Sequence, residues 1–154
     1  MSIRKRIGLL VPSTNTTAEP DFNMVSQENV TIHSQRLWNT NELTPNNISL
    51  MNTDIENACK YLATANVDII VYACTTGSFF KGVDYDRDLI SLIKSTTNLP
   101  AICTASSTVK ALRFIGANKI SVSTPYTTWQ NERLRPYYEK SGFTIMNVDG
   151  EPVA

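Results

Sequence analysis

Cys74 is followed by Thr75, Thr76, Gly77 and Ser78 and preceded by an apolar run that carries Val67, Ile69, Ile70 and Val71. A buried strand thus delivers a thiol to a loop, at the end of a strand where open α/β sheets bind their ligands. Backbone N–H groups in such a loop lower a thiol's pKa and raise its thiolate fraction. The alternative is a structural cysteine, because free Cys is among the most buried residue types.

Two further loops share the composition of this one. Pro12-Ser13-Thr14-Asn15-Thr16-Thr17 and Thr124-Pro125-Tyr126-Thr127-Thr128 are rich in hydroxyls and amides and carry no charged side chain. Neutral donors with helix-start N–H groups form an anion cradle, although Ser, Thr and Asn also serve as simple helix caps. None of the three is a GxGxxG or Walker loop, which disfavours a nucleotide. No histidine accompanies the thiol in these loops, which argues against a papain-like protease. A small carboxylate is the expected ligand. The single His33 lies in a strand-like run, where a structural role is expected.

These loops need strands and helices to hold them. Apolar runs alternate with helical periodicity along the chain, the pattern of βα units and of a parallel α/β sheet with Rossmann-like lobes. Strands are expected over 6–11, 30–38, 67–73, 100–103, 119–123 and 143–148. A helix opens near Thr16 or Thr17, with Glu19 and Asp21 in its first turn. The polar loop 39–47 precedes one long helix to about residue 65, with Ile48, Met51, Ile55, Ala58, Cys59 and Leu62 on one stripe. The stripe makes Cys59 a core residue. Helices follow over 84–97, 105–115, ended by Gly116, and 128–140. No helix covers the last strand, so the ending reads as abrupt for a parallel sheet.

The 154 residues suit a chain able to bury a proper core, with 42% hydrophobic and 18% charged residues. The formal net charge is zero, which argues against nucleic acid as a partner. No signal peptide is expected and no apolar run approaches a membrane span. Cys59, Cys74 and Cys103 are irregularly spaced and form no CxxC, so neither a disulfide framework nor a metal site is suggested. A cytoplasmic location is the natural expectation.

The run Ile7-Gly8-Leu9-Leu10-Val11-Pro12-Ser13-Thr14-Asn15-Thr16-Thr17-Ala18-Glu19 resembles the start of maleate cis-trans isomerases. So does Ala73-Cys74-Thr75-Thr76-Gly77-Ser78, and so does Ser123-Thr124-Pro125-Tyr126 followed by Asn131. The pattern belongs to the aspartate/glutamate racemase superfamily, with arylmalonate decarboxylases as near relatives. The resemblance implies two pseudo-symmetric α/β lobes of the Asp/Glu racemase type: here 1–100 as the first lobe and 101–154 as the beginning of an incomplete second.

The resemblance also implies a chemistry without cofactor or metal. Cys74 matches the cysteine that adds as thiolate to the double bond of maleate. Asn15 and Tyr126 match residues that hold substrate carboxylates, with Ser13 in the same opening motif. Thr75, Thr76 and Tyr126 match a hole that stabilises negative charge in the decarboxylases, which have glycine where this chain has Cys74. The family's second cysteine falls beyond Ala154, and neither Cys59 nor Cys103 replaces it. The chain is therefore expected to be a fragment of a longer protein or a truncated relative.

Three functions stay open at this point. The first is an isomerase acting on a small carboxylate or dicarboxylate. The second is a racemase-like proton transfer or decarboxylation next to a carboxylate, and the third an inactive carboxylate-binding fragment. Relatives often form dimers, which leaves a homodimer open as a partner. The resemblance also places a substrate-covering lid in the loop 39–47.

Overall fold

In the computed structural model, which describes residues 4–150, strands and helices alternate as the hydrophobic pattern requires. β1 (Lys5–Pro12) leads through α1 (Ala18–Val25) to β2 (Val30–Leu37). α2 (Pro45–Asn52) and α3 (Ile55–Thr64) connect β2 to β3 (Ile69–Tyr72). The short α4 (Thr75–Phe79) and the long α5 (Tyr85–Thr97) then lead to β4 (Ala101–Cys103). The remainder is α6 (Thr104–Phe114), β5 (Lys119–Thr124), α7 (Thr128–Lys140) and β6 (Thr144–Gly150).

The first four strands form one parallel sheet in the order β2-β1-β3-β4. The order reverses between β1 and β3, because the chain steps outward from β1 to β2 and then returns to β1's other side. That reversal opens a crevice at the carboxyl ends of β1 and β3. β4 pairs with β3 in the register Tyr72↔Cys103, so the first three residues of the expected second lobe, Ala101–Cys103, belong to the first sheet. β5 and β6 form a separate parallel pair, irregular between Ile120 and Ser121.

Leu10, Ile70 and Tyr72 face α2, α3 and α5, burying Ile48, Met51, Ile55, Leu62, Leu89 and Ile93. Leu9, Val11 and Val71 point to the other face, against Ala18 and Phe22 of α1. Burial on both faces explains why β1 and β3 read as continuous apolar runs. Around the second sheet, Phe79, Val109, Leu134, Tyr137, Phe143 and Ile145 make a core of their own. Among the described residues no helix is long and apolar enough to cross a membrane.

Two local expectations are corrected. The long helix over the stripe is two helices. Thr53 caps α2 by donating its N–H to Leu50 and Met51, and α3 restarts after Asp54. The run Asn52-Thr53-Asp54 is poor in helix formers, while Met51 and Ile55 stay buried on either side of the break, so the stripe conceals it. The segment after Cys74, read as a loop, forms the five-residue helix α4. Gly116, in the left-handed conformation at φ 73, ends α6 as expected.

Candidate active site

Pro12 closes β1 and the chain turns back, with the Asn15 N–H donating to Pro12 O at 2.9 Å. Asn15 Oδ1 then accepts the N–H groups of Thr17 at 3.0 Å and Ala18 at 2.9 Å. The side chain that starts α1 is therefore Asn15, and its amide NH2 is left for the pocket it lines. Arg36, on β2, donates to the carbonyls of Ser13 at 3.1 Å and Asn15 at 2.9 Å and pairs with Glu19. It pins the loop from behind, a role that an arginine inside a strand pattern does not announce.

Cys74 leaves β3 in extended conformation and caps α4, its sulfur accepting the Gly77 N–H at 3.3 Å. Gly77 has to be glycine: a methyl there would overlap the Tyr72 hydroxyl and come within 3.0 Å of Cys74 Sγ. Burial raises the Cys74 thiol's pKa above its ordinary value, and the Gly77 N–H and Tyr72 hydroxyl oppose that shift without cancelling it. The expected lowering is thus corrected. The donors are present, but the sulfur is desolvated more strongly than they compensate, because the first sheet and α4 enclose it.

Tyr126 reaches this thiol from the second sheet. Its N–H donates to Thr124 Oγ1 at 3.3 Å, and Asn131 Nδ2 donates to its carbonyl at 3.3 Å. Burial raises the pKa of its hydroxyl and Cys74 adds to the rise, while Thr75 and Thr76 oppose it. Behind them, the fully buried Gln130 donates to Thr76 Oγ1 at 3.0 Å and accepts the Thr127 N–H and hydroxyl, each at 3.0 Å. α4 is barely more than one turn, so the polar groups on this side of the site are hydroxyls and amides rather than a long helix's dipole.

These pieces enclose a cavity of about 360 Å3. Pro12 and residues 14–17 line one side, and residues 73–76 with Tyr126 another. Asn39, Leu43 and Ile48 complete the lining. No charged side chain takes part. Of the sequence-predicted residues, Asn15, Cys74, Thr75, Thr76 and Tyr126 meet here. Ser13 does not line the cavity: its hydroxyl donates to Asn39 O at 3.2 Å and accepts the Asn39 N–H at 2.9 Å. The loop after β2 is further tied down by Trp129, whose indole N–H donates to Leu43 O at 2.9 Å.

A larger cavity of about 590 Å3 lies among α5, α6 and α7, with Arg87, Lys110, Arg113 and Lys140 on its rim. None of the three hydroxyl-rich loops reaches it, and no cysteine lines it. The smaller cavity is the one that brings the sequence-predicted residues together.

The remaining candidates behave as structural groups. Cys59 is fully buried in α3, its thiol pushed up to about 11 by burial and by Glu56. Cys103 is fully buried at the end of β4, pushed up to about 12 by burial and by Asp86 and Cys74. His33 shares a 3.0 Å hydrogen bond with Thr31 on β2. Two neighbours of the thiol escaped the sequence reading. Tyr72 is fully buried and donates to Asn52 Oδ1 at 2.5 Å, while Asn52 Nδ2 donates to Tyr85 Oη at 3.2 Å.

Comparison with known proteins agrees with this geometry. Residues 7–153 match the arylmalonate decarboxylase family. Maleate isomerase of Pseudomonas putida is 27% identical over 154 residues, covering 92% of this chain and 61% of the relative. The structure of a Nocardia farcinica maleate cis-trans isomerase variant with a covalently bound succinylcysteine intermediate is 26% identical, with a TM-score of 0.89. That match covers 97% of this chain and 64% of the other. A maleate isomerase variant from Pseudomonas putida S16 with maleate is 25% identical, with a TM-score of 0.88 and the same coverage. The chain spans about 61% of the length of the curated relatives it matches.

Proposed function

This chain belongs to the arylmalonate decarboxylase family, and we propose that it acts as a cofactor-independent cis-trans isomerase on a small dicarboxylate, with Cys74 as nucleophile. The observation that carries the reading is the Cys74 thiol in a cavity lined by neutral donors, with Thr75, Thr76 and Tyr126 in the same lining. The succinylcysteine intermediate of the Nocardia enzyme supports it.

In this reading Asn15 holds one carboxylate with its amide NH2. The Cys74 thiolate adds to one alkene carbon, forming a C–S bond while the π pair moves to the neighbouring carbon and its carboxylate. Thr75, Thr76 and Tyr126 stabilise the resulting enediolate, as preorganised donors do where charge develops. The former double bond is now single and rotates. Return of the electron pair re-forms the alkene in the trans arrangement and expels the thiolate. Ser13 positions the pocket wall through Asn39.

Residues 1–100 as a first lobe and 101–154 as the beginning of a second are part of this proposal, supported by the separate pairing of β5 with β6. The three free cysteines support a reducing, cytoplasmic setting. A homodimer completes the proposal; the exposed Phe114 and Ile115 at the end of α6 support it, and light scattering tests it.

The chemical test is intact mass of the full chain incubated with maleate, beside Cys74→Ser. A succinyl adduct on the wild type that is absent from the variant bears the reading out. Deuterium wash-in at a substrate carbon without adduct would replace it with proton transfer. Stabilisation by ligand with neither adduct nor exchange would leave a carboxylate-binding protein.

A further inference from the structure

Asn39 is 7% exposed, and its Oδ1 is the buried side-chain atom left without a hydrogen-bond partner among the described residues. Buried polar groups are almost always paired, because an unpaired one forfeits its hydration without replacement. The residue's backbone has no such deficit: Ser13 Oγ accepts its N–H and donates to its carbonyl. The fold thus fixes Asn39 firmly, with its amide oxygen sealed away and its NH2 the accessible end, in a residue that lines the same cavity as Cys74.

Asn39 follows β2, and Thr75 and Thr76 follow β3, on opposite sides of β1. Two strand spacings separate these ends by roughly 10 Å. A ligand that meets both walls therefore needs a polar group at each end. An asparagine amide offers an acceptor on one side and two donors on the other, and with the oxygen sealed the NH2 is the end that can donate to a ligand.

We propose that Asn39 is a specificity-determining residue that joins Asn15 in receiving the second carboxylate of a four-carbon dicarboxylate whose first carboxylate lies at Thr75, Thr76 and Tyr126. The inference rests on the reading of the cavity as a carboxylate site. It adds the reason for choosing a dicarboxylate over a monocarboxylate: the distal carboxylate accepts from the amide NH2, and a methyl group in its place does not.

The test uses two unreactive probes of equal chain length, succinate and butyrate, titrated calorimetrically into the full chain, Asn39→Leu and Asn39→Asp. The wild type should prefer succinate. Asn39→Leu should weaken succinate about tenfold, the worth of one charge-assisted hydrogen bond, and leave butyrate unchanged. Asn39→Asp should weaken succinate further through like-charge repulsion. Asn39→Leu should also melt at or above the wild-type temperature, because it deletes the unpaired atom, whereas a residue holding the loop together would melt lower. An unchanged succinate-to-butyrate ratio in Asn39→Leu overturns the role of Asn39 alone. A wild type that binds neither probe overturns the carboxylate reading and this inference with it.

Discussion

The Tyr72 hydroxyl lies beside the Cys74 thiol, both crowding Gly77, and it opposes the rise in the thiol's pKa while donating to Asn52 Oδ1 at 2.5 Å. One phenol carries one proton, so its donation to Asn52 competes with donation to an ionised sulfur. In the thiol state the phenol proton stays on Asn52. In the thiolate state the phenol proton has to serve one acceptor or the other. Asn52 therefore restrains the ionisation that Tyr72 assists.

Two substitutions should move Cys74 in opposite directions. Tyr72→Phe removes the donor and should slow alkylation of Cys74 by iodoacetamide at pH 7 about tenfold, since a hydrogen bond to a charged group corresponds to roughly one pKa unit. Asn52→Leu removes the competing acceptor and should speed the same reaction. Equal slowing by both would mean the network only holds the strand end in place. Rates followed by mass spectrometry of the Cys74 peptide decide between them.

The pH dependence follows from the same group. Burial raises the Cys74 thiol above its ordinary value of 9.0, so the thiolate is a minority at neutral pH. Alkylation should climb about tenfold per pH unit through pH 7 to 9 and level off only above 9. For stability, a raised folded-state pKa favours the protonated native state. That contribution is complete below the unfolded thiol's pKa and is lost as pH rises through the higher folded value. Relative to wild type, Cys74→Ala should therefore gain stability as pH is taken above 9, read from urea titrations at each pH.

Gly77→Ala tests the close packing around the thiol. The added methyl would overlap the Tyr72 hydroxyl, whose ring is fully buried and cannot swing aside, and would press on Cys74 Sγ. Overpacking of this kind costs about 1–3 kcal/mol, measurable by chemical denaturation. Gly82 offers the contrast: nothing lies within 4 Å of its added methyl, but its φ of 100 makes backbone strain the only source of cost. Reactivity of Cys74 should change in Gly77→Ala and stay at the wild-type rate in Gly82→Ala.

What could be read from the sequence is local or periodic. The apolar runs of β1 and β3 announce strands buried on both faces, and the hydroxyl-rich segments after them mark the crevice. Asn15, Cys74 and Tyr126 meet because each follows a parallel strand. Asn39, Asn52 and Tyr72 could not be singled out. Asn39 lies in a loop of ordinary polar composition, and only the clamp from Ser13, 26 residues away, shows that its amide is enclosed. Tyr72 reads as one more apolar strand residue, and its partner Asn52 stands 20 residues off. The split between α2 and α3 was hidden because the apolar stripe keeps its phase across it. The helix after Cys74 was hidden because its start depends on a cap by sulfur, which composition does not signal.

Gln130 carries the same lesson into a prediction, since it joins α7 to α4 across 54 residues. Its NH2 donates to Thr76 Oγ1 while its carbonyl accepts two donors from Thr127. Gln130→Leu should cost about 1–3 kcal/mol by leaving Thr76 short of a partner in a buried place, and should weaken carboxylate binding because Thr76 then orients Tyr126 less firmly. Gln130→Glu keeps the shape and the acceptor but places a carboxyl where no water reaches. Burial raises the pKa of such a carboxyl, so the variant's stability is complete below the unfolded value of about 4.3 and falls as pH rises through the higher folded value. Urea titrations against wild type should therefore show Gln130→Glu close to wild type at pH 4 and losing ground by pH 7. A constant deficit at both pH values would show that the site admits water and that Gln130 is not the sealed link between the two sheets.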